Sequence, residues 1–226
     1  VPETPHIVSD VMTRKVVAVR RDAPFKEIVR TMGQWKVSAL PVLEGDGRVI
    51  GVVSEADLLP KEEFRDSTAS LRQQRQRLSD VAKAGAVTAE EAMSTPAISV
   101  HPDVTLAQAA RIMAVRHVKR LPVVDDEGVL KGIVSRGDLL KVFLRSDDDI
   151  EEEVRRTVVS YLFPALSHTI HVNVHEGVVT LRGKVQDTSL VSVAARLVRA
   201  VEGVVDVEPH LTGASGTPAG SEGAAQ

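Results

Sequence analysis

The chain has 226 residues, 43% hydrophobic and 3% aromatic, with a formal net charge of −3 and no cysteine. That length supports one or two domains with real cores, while the charge and the scarcity of aromatic rings speak against a nucleic-acid binder, which needs a basic face and stacking platforms. The lack of cysteine excludes disulfides, iron–sulfur clusters, thiolate zinc sites and a cysteine nucleophile, and no apolar run approaches the roughly 20 residues of a membrane span, so a cytoplasmic protein is expected.

In chain order, residues 16–19 read as a strand and Asp22-Ala-Pro24 as a helix start, with Asp22 as cap and proline in the first turn. Phe25, Ile28, Val29 and Met32 follow at helical spacing, and Phe25 and Met32 are expected in the core. Leu40-Pro41-Val42 begins a hairpin that turns near Gly47, and residues 54–59 close the unit as a helix. Residues 61–90 form a charged linker rich in Gln and Arg, with Leu71 and Leu78 a heptad apart, expected to be a solvated helix.

The pattern then returns. Residues 10–59 overlay residues 91–140 at a constant offset of 81 without a gap. Met12 meets Met93, Leu40-Pro41-Val42 meets Leu121-Pro122-Val123, and Gly47, Gly51, Ser54 and Asp57 meet Gly128, Gly132, Ser135 and Asp138. Two such copies imply similar units related by a pseudo-two-fold axis. Each copy ends its hairpin in a serine and an aspartate three residues apart at a helix start. These two residues cap the helix, or they hold a ligand at its free N–H groups.

After Arg145 an acidic run marks a boundary and suits a helix N-terminus. Ile150, Val154, Val158 and Leu162 give an apolar stripe, and residues 168–175 alternate in strand phase. Glu176-Gly177 makes a turn, residues 178–184 the partner strand, 189–201 a helix and 204–211 a last strand, and from Gly213 a Gly-, Ala- and Ser-rich tail is expected to be disordered. His171 and His175 share a strand face but stand about 13 Å apart at roughly 3.3 Å per residue, too far for one metal ion. No metal site is expected.

The doubled unit resembles the cystathionine-β-synthase (CBS) domain. Both copies carry Leu-Pro-Val and then Gly-x-Val-Ser-x-x-Asp, over about residues 7–60 and 91–145. The resemblance implies an α+β fold in which two βαββα repeats pack as a pair, with two clefts for adenosine ligands such as AMP, ADP, ATP or S-adenosylmethionine, and association into a homodimer. Residues 148–212 resemble the BON domain, a small αββαβ module, through Ile170-His-Val-Asn-Val, Glu-Gly-Val-Val-Thr-Leu-Arg-Gly183 and Val201-Glu-Gly-Val-Val-Asp-Val. That resemblance implies a phospholipid or protein partner and no catalysis. Ten carboxylates against six Lys and Arg in this stretch favour a protein.

On the expected site, Asp138 clamps the ribose beside Ser135, Ile98, Leu121, Pro122 and Val123 sandwich the adenine, and Lys119, Arg120 and Arg136 meet phosphate. The aligned positions in the first repeat are Ser38, Ala39 and Glu55. Its cleft, marked by Asp57, Ser54, Val17 and Pro41, is therefore expected to be empty or to take a ligand with little negative charge. The pseudo-symmetry also allows side chains of one repeat to reach the other's cleft. The expected function is non-catalytic sensing of an adenosine ligand, relayed to a partner through the BON-like unit. The alternative is a dimerising scaffold whose last unit docks on membrane phospholipid.

Overall fold

The computed structural model describes residues 6–63 and 83–213. Most of the expected linker helix and nearly all of the expected tail lie outside the described residues. The chain divides into two compact units, one spanning His6–Leu139 and the other beginning at Leu140.

In the first unit β1 (Val19–Arg20), β2 (Ala39–Glu44) and β3 (Arg48–Ser54) form one sheet, with β1 parallel and β3 antiparallel to β2. The helix Phe25–Trp35 crosses between β1 and β2 and buries Ile28 and Met32. It starts after Pro24, not at Asp22, because Pro24 is held extended (φ −64°, ψ 150°) and bridged to Thr88. Lys36, at φ 52°, stops it in the left-handed region. The second repeat has β4 (Arg120–Val124) antiparallel to β5 (Leu130–Ser135) and the crossing helix Leu106–Val115, capped by Thr105 and Gln108. Its first strand is reduced to one parallel bridge, Val100 to Val123.

The repeats are interlocked. The helix Val8–Val11 opens the first copy in sequence yet lies on the second: Val8 N–H donates to Val104 O at 2.8 Å, and Thr13 bridges Ile133. The helix Ala89–Ala92 makes the reciprocal crossing. Ala89 N–H donates to Ala23 O at 2.9 Å and Ser94 bridges Val52. Every pair here repeats at the offset of 81. The two hairpin tips also pair, Val49 N–H with Gly128 O and Leu130 N–H with Gly47 O, both at 3.0 Å.

This exchange explains two sequence coincidences. Gly51 and Gly132 lack side chains because the crossing segments press on them. A Cβ at Gly51 would stand 2.9 Å from Ser94 O, and one at Gly132 2.9 Å from Thr13 O, with the Met93 and Met12 thioethers against them. The imported residues also join the host core, since Ala86, Ala89 and Ala92 cluster with Ile28, Leu40, Val42 and Val53. The closing helices are Glu55–Leu58 and Arg136–Leu140. After Arg136–Leu140 the chain passes into a 3-10 turn, Lys141–Leu144, which buries no side chain that would hold an α-helix.

In the second unit β6 (His171–His175), β7 (Val178–Val185) and β8 (Asp206–Gly213) form a sheet in that order, antiparallel and then parallel. The Ser146 hydroxyl accepts from Asp149 N–H at 3.2 Å to cap Asp147–Val154, and Asp147 accepts from the N–H groups of Glu176 and Gly177 at 2.8 and 2.9 Å. That pins the β6–β7 turn, where both residues have positive φ. The expected stripe ending at Leu162 shifts at a π-turn, Arg155–Val159, whose extra residue rotates the following chain. Val159 and Phe163 are thereby buried, and Leu162 only flanks the core. Ile150, Val154, Val172, Leu181, Ala194 and Val198 complete it. Among the described residues no helix is long and apolar enough to cross a membrane.

Candidate functional site

Both Ser-x-x-Asp sequences fold into the same turn. At the first, the Ser54 N–H and hydroxyl donate to Asp57 Oδ2 at 2.8 and 2.9 Å; at the second, the Ser135 N–H and hydroxyl donate to Asp138 Oδ2 at 2.9 and 2.8 Å. The serine leaves its strand in extended geometry, and the aspartate returns from the first helical turn to satisfy an N–H that would otherwise be orphaned.

Their surroundings differ. Asp57 is 7% exposed and lies in the wall of a cavity of about 430 Å³, a size suited to a small organic ligand. One side of the cavity is the first repeat, with Ser38, Val52, Ser54 and Glu55. The other is the second repeat, where Pro96, Ala97 and Ile98 give an apolar lip and Lys119 and Arg120 a cationic one beside His117. The Arg120 guanidinium crosses between repeats and donates to Ser38 Oγ at 2.7 Å. Ser38 and Ala39 align with Lys119 and Arg120, and all four line this one cavity. The Asp57 carboxylate is also ion-paired with Lys83 and accepts from Ser94 Oγ at 3.2 Å.

This geometry corrects the grouping expected from the repeat alignment. Ile98, Lys119 and Arg120 come together with Ser54 and Asp57, because the chain crosses between repeats just ahead of Ile98 and because His117, at φ 54°, turns the following residues toward the first repeat. Leu121 and Val123 have no exposed surface and Pro122 is buried, so these three belong to the β4 core and cannot sandwich a base. Pro41 is likewise buried in β2, and Val17 packs on the first repeat's core; neither lines the Asp57 cavity. Arg136 is exposed at the start of its helix and Ser135 and Asp138 are half-buried. Ser38, Ser94 and Lys83 carried no motif of their own. Only the offset of 81, followed into three dimensions, points to the first two.

At the second hairpin, hydrogen bonds from Lys131 and from the N–H groups of Val129 and Glu127 hold the Asp125 carboxyl below the ordinary carboxylate range. On the other repeat Arg21 is raised further by Glu90, which it grips through two guanidinium nitrogens.

A family model described as CBS domain matches residues 8–61 and 89–145, and one described as BON domain matches residues 146–214. The chain is 30% identical over 154 residues to protein MJ1426 of Methanocaldococcus jannaschii, covering 61% of this chain and 91% of that protein. It is 32% identical over 132 residues to the CBS domain-containing protein YhcV of Bacillus subtilis, covering 58% and 81%. Among solved structures, CBSX2 in complex with AMP, an Arabidopsis thaliana protein, superposes with a TM-score of 0.54 at 28% identity, over 62% of this chain and 97% of that one. Protein MJ1225 of Methanocaldococcus jannaschii superposes with a TM-score of 0.50 at 27% identity, over 62% and 49%.

Proposed function

Since the chain belongs to the CBS-domain family and carries a BON domain after its CBS pair, we propose that it is a regulatory sensor of an adenosine phosphate, bound in the cavity that the two repeats share at Asp57. The observation that carries this reading is the juxtaposition in one cavity of a buried carboxylate at a helix start and two cations from the opposite repeat. Asp57 is placed to accept ribose hydroxyls, Ile98, Pro96 and Val52 offer apolar surface to a base, and Lys119 and Arg120 offer charge to a phosphate. The similarity to CBSX2, solved with AMP, supports the ligand class.

The reading reassigns the ligand from the Asp138 turn to the Asp57 cavity. Signal would leave the pair along the chain through Arg136–Leu140 and Lys141–Leu144 into the BON domain, which we take to contact a protein partner. Such a relay works only if the ligand binds two arrangements of the pair with different affinity. Association with a second copy belongs to the same proposal, and the exposed apolar side chains Val29, Trp35 and Leu59 supply surface for it.

A thermal-shift panel tests the reading with AMP, ADP, ATP, S-adenosylmethionine and guanosine triphosphate on the full chain. An adenosine phosphate at 100 times its dissociation constant should add about 2.7 kcal/mol of stability. No shift with any adenosine compound would remove the sensor reading.

A further inference from the structure

Asp57 has its acceptor capacity filled within the chain itself. An ionised carboxylate offers about four acceptor sites, and four donors use them. The Ser54 N–H and hydroxyl converge on Oδ2, while the Lys83 ammonium and the Ser94 hydroxyl converge on Oδ1. The first two belong to the turn that starts the helix Glu55–Leu58, and they cannot leave without undoing it. The other two come from the stretch that crosses between the repeats. A ribose diol that donates both hydroxyls to this carboxylate must take the place of the Oδ1 pair.

Resting on the nucleotide reading above, we infer that Lys83 is an intramolecular competitor for the ribose clamp: its ammonium holds Asp57 while the cavity is empty and is displaced by the ligand's hydroxyls. Its surroundings favour that role over a purely structural ion pair. Asp57 is the one charged side chain buried among the described residues, and burying it unpaired would be costly, so an empty site needs a cation there. Lys83 supplies it from a mobile-length side chain that does not itself line the cavity, and its ammonium also reaches Ser94 Oγ at 3.2 Å. The backbone beside it reports on the exchange. Residues 83–85 are helical, and Lys61 Nζ donates to Ala84 O at 3.1 Å, tying this turn to the helix Pro60–Glu63. Ala86 is buried in the first repeat's core and Ala89 N–H is fixed to Ala23 O, so a shift at Lys83 is confined to the residues before Ala86.

A phosphate-binding role for Lys83 makes the opposite prediction, because deleting a phosphate cation weakens binding whereas deleting a competitor strengthens it. The test is calorimetric titration of AMP into full-length wild type and Lys83→Met, which keeps the aliphatic stem, together with hydrogen exchange of the amides of residues 83–85. Lys83→Met should bind AMP about tenfold more tightly, the factor by which a clamp open a tenth of the time depresses affinity. Saturating AMP should also speed exchange at residues 83–85 in wild type. Equal or weaker binding by Lys83→Met, with wild type binding normally, overturns the competitor role and leaves the nucleotide reading standing. If AMP binds neither protein, the nucleotide reading falls and the competitor role with it. Asp57→Asn gives a ligand-free check: its neutral amide should release Lys83 and raise exchange at residues 83–85 several-fold, and unchanged exchange overturns the lock.

Discussion

In the first repeat Ser54 folds onto Asp57 and in the second Ser135 folds onto Asp138 with the same donors at 2.8–2.9 Å, yet the first carboxylate is buried in a cavity walled by both repeats and the second is half-buried. The comparison separates two properties that the motif runs together. Cap geometry is local, set by a serine leaving a strand and an aspartate on the next helical turn. Binding capacity is not local. It depends on what the partner repeat brings over the cap, and here the second repeat sends Lys119, Arg120 and Ile98 to the first repeat's cap.

The largest effect that sharpens this contrast is on ligand-dependent stability. Asp57→Ala should abolish the thermal shift with AMP, a loss of about 3–6 kcal/mol of binding if two hydrogen bonds to a charged group disappear, while Asp138→Ala keeps it. Next comes the interlock, which treats both repeats alike. Gly51→Ala and Gly132→Ala each force a methyl against a methionine and a carbonyl of a crossing segment, so each should lower unfolding stability by about 1–3 kcal/mol in denaturant titration. Markedly unequal losses would break the pseudo-symmetry. Arg120→Ala should then weaken AMP about tenfold, roughly 1.4 kcal/mol, and leave adenosine nearly unaffected, because only the phosphate uses the guanidinium.

The smallest effect is confined to the second hairpin. Asp125 is held below the ordinary carboxylate range by Lys131 and two backbone N–H groups, so its folded form loses its proton more readily than its unfolded form. Its contribution is therefore present above about pH 4 and is lost as pH falls through the depressed value. Carboxyl chemical shifts followed by NMR should titrate late at Asp125, and Asp125→Asn should remove that part of the acid dependence. The aligned position in the first repeat is Glu44, which pairs with Arg21.

Much of this fold could be read in the sequence because its signals are local or periodic. The hairpins announced themselves through Gly47 and Gly128, the first crossing helix through Ile28 and Met32, and the offset of 81 told of two alike units. What alignment could not give was which residues share a cavity. Aligned residues occupy equivalent places on their own repeats, and an offset says nothing of which face meets which. The interlock then reverses the simple expectation, because residues just before a repeat pack on its partner. Leu121 and Val123 illustrate a second limit, since an apolar residue beside a motif looks the same in sequence whether it lines a cleft or fills the core. The π-turn at Arg155–Val159 shows a third: one inserted residue moved burial from Leu162 to Phe163 with no glycine or proline to signal it.

The most direct test of the shared-cavity account is a crystal structure of the full chain grown with AMP. The expected result is one nucleotide between the repeats, with ribose hydroxyls on Asp57, the base against Ile98 and the phosphate toward Lys119 and Arg120. Nucleotide found at Asp138 alone, with the Asp57 cavity empty, would contradict the account.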